Sequence, residues 1–231
     1  MVTETIKLCG LSDGEVISRL NKIEHTGVDC KIVEKNLDVS ITISSDINLE
    51  KFEFIKSKIY GEFKDEIYAS EEISLETLAA KLLKMTKNTL AVAESLTGGE
   101  ICSRLCSVNG ISENLFEGIV CYNRLSKMNR LGVSKDILAN YGAVSRQTAH
   151  AMVKGLNNNP VTIGLATTGL AGPTGDEGKP VGLVYIAVGS GDFIPVFERH
   201  IAGSRNEIRE STANLALFYL VRYLQGNILR L

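Results

Sequence analysis

With 231 residues, 44% of them hydrophobic, the chain has the length for one large or two small domains and ample apolar content for a packed core. No apolar run approaches the roughly 20 residues of a membrane helix and no signal peptide follows Met1, so a cytoplasmic location without membrane contact is expected. Five cysteines without a CxxC pair and three histidines without HExxH remove support for a disulfide framework or a metal site, and the net charge of −2 divides into −6 for residues 1–72 and +4 for 73–231. The acidic first part argues against nucleic-acid binding, while the mildly basic second part suits a small anionic ligand.

In chain order, Thr3–Cys9 alternates as a strand, and Ser12 with Glu15 has capping-box spacing ahead of the stripe Val16, Ile17, Leu20 and Ile23. Residues 30–35 and 37–44 read as a hairpin about Asn36. Asp46 or Asn48 starts a second helix carrying Phe52, Ile55, Ile59 and Phe63, and a short strand at Ile67–Tyr68 closes the module. The order β-α-β-β-α-β predicts a small two-layer α+β domain over 1–72, of the split βαβ kind and similar to a KH-like arrangement. It lacks a GxxG clamp, and its expected role is structural or dimerising.

A polar connector, 69–74, leads to a helix through about Thr86 with Leu75, Leu78, Leu82 and Met85 on its apolar side. Buried strands are predicted at Leu90–Ala93 and 161–169, and residues 118–123 read as strand-like. Helices follow Ser134 and Ser145, whereas 125–132 is ambiguous. A hairpin spans 181–201 about Ser190-Gly191-Asp192, and a long helix opens with the capping box Ser204/Glu207, its apolar face including Ile208, Leu215, Tyr219 and Leu220. Residues 73–231 therefore read as a three-layer α/β/α domain with a mixed sheet.

In such sheets ligands gather at the C-terminal ends of the parallel strands. Ser95-Leu96-Thr97-Gly98-Gly99, Tyr122 to Lys127, and Thr168 to Pro173 are three such ends. Thr97 with Glu100 has capping-box spacing, so a helix starting near Gly98 would aim free N–H groups at the Ser95 hydroxyl and favour a phosphate or an oxyanion there. The same residues also serve as an ordinary helix cap, and the glycines at 169, 172 and 175 suit either close backbone approach to a ligand or a flexible loop.

Taken together, AESLTGG, NGISENLFEGIVCYN with Ser126-Lys127, YGAVS (141–145), TTGLAGPTG (167–175) and KPVGLVYIAV (179–188) resemble the CinA C-terminal domain family over about residues 74–225. Residues 1–72 resemble the KH-like middle domain of full-length members, whose large molybdopterin-binding-like N-terminal domain has no counterpart in these residues. The resemblance implies a metal-free, cofactor-free Ser/Lys amidohydrolase converting nicotinamide mononucleotide to nicotinic acid mononucleotide and ammonia. It implies Ser95 as nucleophile, Lys127 as base and Ser112, in the NGIS turn, as a proton relay between them. Substrate contacts are expected from Thr97, Gly98, Gly99, Tyr122, Thr168, Gly169, Ala171, Gly172 and Arg205, the last matching the arginine of the family's GDR motif. The expected partner is a small nucleotide rather than nucleic acid, and a homo-oligomer, a dimer, is expected.

Two departures from the family pattern stand out. Leu96 replaces a cysteine, with a side chain expected in the core. Arg124 replaces an asparagine within a turn of Lys127, where its charge would depress the lysine pKa or disturb the pocket. The alternative function class is a catalytically silent nucleotide-binding or regulatory protein linked to competence and DNA damage; a Ser/Lys amidase acting on another small amide is a third.

Overall fold

The computed structural model describes residues 1–46, 48–157 and 160–228, divided into two compact units, Met1–Ser74 and Leu75–Ile228. In the first, β1 (Val2–Cys9), α1 (Asp13–Leu20), β2 (Asp29–Lys35), β3 (Asp38–Ser45), α2 (Leu49–Glu62) and β4 (Ile67–Ala69) give an antiparallel sheet in the order β2-β3-β1-β4. This is the split βαβ order: β3 lies between β2 and β1. Alternation puts Ile6 and Leu8 of β1 and Val39, Ile41 and Ile43 of β3 on one face, where they pack with Val16, Leu20, Phe52, Ile55, Ile59 and Phe63 of the helices and their ends. Ser12 and Glu15 form the expected capping box. The hairpin turns through both Asn36 and Leu37 in left-handed conformation, the backbone twist that a two-residue connection requires.

In the second unit, α3 (Leu75–Thr86), β5 (Leu90–Glu94), α4 (Glu100–Cys106), β6 (Leu115–Val120), α5 (Arg124–Leu131), α6 (Lys135–Tyr141), α7 (Arg146–Leu156), β7 (Ile163–Gly169), β8 (Leu183–Gly189), β9 (Val196–His200) and α8 (Arg205–Leu224) build a three-layer sandwich. The sheet order is β6-β5-β7-β8-β9, with β5, β6 and β7 parallel and β8 and β9 antiparallel. Helices α5, α6 and α7 pack on one side and α3, α4 and α8 on the other. The interior strand β5, between β6 and β7, is buried at all five positions, as expected of a parallel strand covered on both faces.

Two faces differ from expectation. On α3 the buried residues are Leu75, Leu78, Ala79, Ala80 and Leu83, whereas Met85 is 69% exposed, because small alanines let α8 approach and turn the buried stripe off the larger Leu82–Met85 side. On α8, burial runs unbroken from Ser211 to Arg222, because the helix lies on the sheet and is also covered by α3 and α4. Its single apolar face was too narrow an expectation.

Gly155 of α7 sets how closely that helix meets α5. A Cβ there would lie 2.1 Å from the Leu131 carbonyl oxygen, a backbone atom at the end of α5. Gly→Ala inside an unobstructed helix stabilises by roughly 0.5–1 kcal/mol. Gly155→Ala is expected to do the opposite and cost about 1–3 kcal/mol through overpacking, seen as a lowered urea midpoint.

Candidate active site

Strand β5 ends at Glu94, and the chain turns through Ser95–Gly99 into α4. Gly98 and Gly99 both have positive φ, +65° and +97°, a conformation that a side chain would strain. The expected Thr97/Glu100 capping box does not form. The Thr97 hydroxyl is instead 2.9 Å from that of Thr167 on β7, both residues fully buried, and Gly99 is the N-cap with no side chain to offer. Glu94 does the capping. Its carboxylate accepts from the Gly99 amide at 2.9 Å, Ile101 at 3.2 Å and Cys102 at 2.9 Å. The amides of α4 are thus spent on Glu94 and are not aimed at Ser95, which corrects the oxyanion role expected for the Gly98–Gly99 helix start. Burial, with the Glu94 charge adding to it, pushes the Cys102 thiol well up from its ordinary range.

Lys127 lies on α5, whose N-cap Asn123 accepts from the Ser126 amide at 2.8 Å and whose end is set by Gly132 in left-handed conformation. The side chain runs inward and is 1% exposed. Its Nζ is 2.9 Å from Ser95 Oγ and 2.7 Å from the Cys121 carbonyl oxygen, and Ser95 is itself 7% exposed. Burial lowers the Lys127 pKa from 10.5 to about 8, with the electrostatic influence of Cys121 opposing it. Arg124 has no part in this. Its guanidinium points outward to pair with Glu177 and reaches the Leu138 carbonyl at 3.4 Å, so the expected perturbation of Lys127 by Arg124 gives way to simple desolvation.

Ser112 is not a relay within this chain. It is exposed in a short 3-10 turn just before β6, at the end of the sheet where Leu90 pairs with Leu115, whereas Ser95 follows the other end of β5. The strand between is roughly 15 Å long at ~3.3 Å per residue. Direct contact between Ser95 and Lys127 also leaves no gap to bridge.

Of the residues expected around a ligand, Arg205, Tyr122 and Gly172 are brought together: the guanidinium donates to the Tyr122 hydroxyl at 2.7 Å and to the Gly172 carbonyl, joining the ends of β6, β7 and α8. Leu96 points into the core, as expected. Ala171 is buried. Thr97 and Thr168 spend their hydroxyls internally, on Thr167 and on the Ala143 carbonyl at 2.7 Å. Gly169 serves close packing, since a Cβ would sit 2.9 Å from the Leu183 carbonyl. Sequence reasoning missed Glu94, Thr167 and Arg209, whose Nε and Nη2 donate to the Leu96 and Thr97 carbonyls at 3.0 Å each. The signal for Glu94 was present: an acid ending an otherwise apolar buried strand has to find donors.

The CinA C-terminal domain model matches residues 72–224. Similar relatives include a competence-damage inducible protein of Thermoanaerobacter pseudethanolicus, 42% identical over 180 residues, covering 77% of this chain and 44% of that protein. A CinA-like protein of Syntrophus aciditrophicus is 38% identical over 234 residues, covering 97% of this chain and 56% of that protein. The chain thus spans about half the length of the curated relatives it matches. Among solved structures, the competence/damage inducible protein CihA of Agrobacterium tumefaciens is 35% identical with a TM-score of 0.61, covering 65% of this chain and 95% of that one. A CinA superfamily protein of Klebsiella pneumoniae is 28% identical with a TM-score of 0.64, covering 66% and 96%.

The buried amine has a cost that can be measured. With its pKa at about 8 in the fold against 10.5 free, the ammonium is disfavoured by about 3 kcal/mol below pH 8. The unfolded chain binds the extra proton between the two values, so that stability returns as pH rises from 8 to 10.5. Lys127→Met removes the penalty and also the bonds to Ser95 and Cys121, worth about 1 kcal/mol each. The variant is therefore expected to be more stable than the wild type by about 1 kcal/mol at neutral pH and less stable above the free lysine pKa. Urea unfolding at the two pH values checks the change of sign.

Proposed function

This chain belongs to the CinA C-terminal domain family, and we propose that its Ser95–Lys127 pair hydrolyses the carboxamide of nicotinamide mononucleotide, giving nicotinic acid mononucleotide and ammonia. The observation that carries this reading is the buried Lys127 amine 2.9 Å from the Ser95 hydroxyl. A serine attacks an amide only with a base at hand, and a lysine serves when it is neutral near working pH. Neutral Lys127 takes the hydroxyl proton as Ser95 Oγ bonds to the amide carbon. The resulting ammonium returns a proton to the departing nitrogen, ammonia leaves, and the acyl ester on Ser95 remains. Water then attacks the ester, giving its proton to the same amine, and Ser95 regains a proton as the acid product leaves.

Arg205 supports a nucleotide substrate. It stands in the first turn of the twenty-residue α8, where exposed backbone N–H groups and a guanidinium meet, and it is tied to the strand ends through Tyr122 and Gly172.

Ammonia release from nicotinamide mononucleotide by the purified protein is the direct test, and no turnover by the wild type would sink the reading. Ser95→Ala is expected to abolish release with the fold intact, and Lys127→Arg to match Lys127→Ala, since a guanidinium does not deprotonate in this range. Because only the neutral amine acts as base, kcat/KM is expected to rise about ten-fold per pH unit up to about 8 and then level off. A flat profile across that span would remove Lys127 as the base.

Arg205→Ala is expected to raise KM for nicotinamide mononucleotide about ten-fold or more, the loss of a charge-assisted contact worth roughly 1.5–3 kcal/mol. Nicotinamide riboside, lacking the phosphate, should be turned over with little change. Equal losses on both substrates would show that Arg205 does not read the phosphate.

A further inference from the structure

The turn after Ser95 holds two buried amides with nothing to donate to. Among the described residues, the N–H groups of Leu96 and Thr97 meet no protein acceptor, although both residues are buried. Buried amides without partners are rare, and they point to an acceptor that arrives with a ligand. Both are held in orientation through their own peptide planes, since a trans peptide sets N–H and C=O in opposite directions. The Leu96 amide shares its plane with the Ser95 carbonyl, which accepts from the Gly98 amide at 3.1 Å. The Thr97 amide shares its plane with the Leu96 carbonyl, which accepts from Arg209 Nε at 3.0 Å, while Arg209 Nη2 holds the next carbonyl, that of Thr97, at 3.0 Å.

We infer that Arg209 is a positioning residue for the reaction: by gripping the Leu96 carbonyl it fixes the Thr97 amide, which joins the Leu96 amide, itself fixed through the bond between Gly98 and the Ser95 carbonyl, as a donor that receives the oxyanion formed on attack by Ser95. This rests on Ser95 being the nucleophile. The charge also polarises the Leu96–Thr97 peptide, which strengthens the N–H at its other end. Glu94 completes the arrangement from the opposite side, since it occupies the α4 amides and leaves these two as the free donors beside Ser95. Arg209 itself touches backbone rather than the reacting atoms.

Two readouts test this, one of them independent of the natural substrate. A fluorophosphonate probe labels an activated serine: the Ser95 Oγ–P bond forms, the P–F bond breaks, fluoride leaves and the hydroxyl proton passes to Lys127. The developing negative oxygen on phosphorus needs the same donors. Arg209→Gln is expected to slow labelling, and to lower kcat on nicotinamide mononucleotide, by about 10–100-fold with KM nearly unchanged, rates being normalised to the final extent of labelling. Arg209→Lys, which retains a charged donor for one carbonyl, should fall between, and it carries the test if the glutamine variant does not fold. Unchanged labelling, or a raised KM with kcat held, would overturn the inference and make Arg209 a packing or substrate-contact residue. A wild type that labels at Ser95 and is slowed by these substitutions, yet releases no ammonia, would refute the nicotinamide mononucleotide reading and sustain the role of Arg209.

Discussion

One buried carboxylate, bonded to backbone amides and not to Ser95 or Lys127, organises the candidate site. Glu94 is fully buried, and burying an ionised carboxylate is costly unless hydrogen bonds and opposite charge replace its water. Three backbone amides at the start of α4, together with the positive end of its dipole, provide that replacement. The bond has a geometric consequence. Because residue 94 at the strand end is joined to residues 99, 101 and 102, the chain between must close a tight loop, and Gly98 and Gly99 take the left-handed conformation that permits it. Ser95, Leu96 and Thr97 then have little freedom: the first lies at the strand tip, the second packs inward, and the third reaches Thr167.

Strand direction brings the remaining groups to that tip. The parallel pairing of β6 and β7 with β5 sets all three C-terminal ends side by side, and the ladder continues past β5 through a 2.7 Å bond from the Cys121 amide to the Glu94 carbonyl. Cys121 thereby presents its own carbonyl to Lys127 from one flank. The antiparallel β8–β9 hairpin returns the chain so that α8 begins beside the same corner, where Arg205 and Arg209 emerge from successive turns of one helix. The mixed sheet thus places Lys127, from one helical layer, on the Ser95 hydroxyl, and Arg209, from the other, on the two carbonyls that follow Ser95, while Arg205 ties α8 to the ends of β6 and β7.

How much of this was legible in the sequence depends on the range of the interaction involved. Caps whose side chain and amide lie three residues apart were readable and form: Ser12, Ser134, Ser145 and Ser204 all accept from the amide three positions on. Thr97 matched the same rule and failed, because Thr167, seventy residues away in sequence, took its hydroxyl while Glu94 supplied the cap from before the turn. Arg124 is near Lys127 in sequence, but its partner Glu177 lies in a distant loop. Motif position alone points to Ser112 as a relay, and the parallel register shows that it sits at the opposite end of the sheet from Ser95. The Ser95–Lys127 pairing came from the family resemblance. Lysines are mostly exposed, and nothing in residues 125–132 taken alone marks this one as buried.

A carboxylate adjacent in sequence to Ser95, the proposed nucleophile, would ordinarily be a hazard for a lysine proposed as its base. Placed within about 4–6 Å of an ammonium, a carboxylate favours the charged form and raises its pKa, which would leave Lys127 protonated and useless as a base. Turning Glu94 onto the amides of α4 removes it as a partner for the lysine, so among the described residues the hydrogen-bond partners of Lys127 Nζ are the Cys121 carbonyl and the Ser95 hydroxyl. With no carboxylate to hold the proton, desolvation prevails and the pKa falls towards neutrality. The arginines obey the same separation: Arg209 is spent on backbone carbonyls, Arg124 on Glu177, and neither contributes to the lowered value. Glu94, Arg124 and Arg209 are thus each tied to a group other than Lys127, and burial leaves the Lys127 amine the poorly supported charge that the proposed base requires.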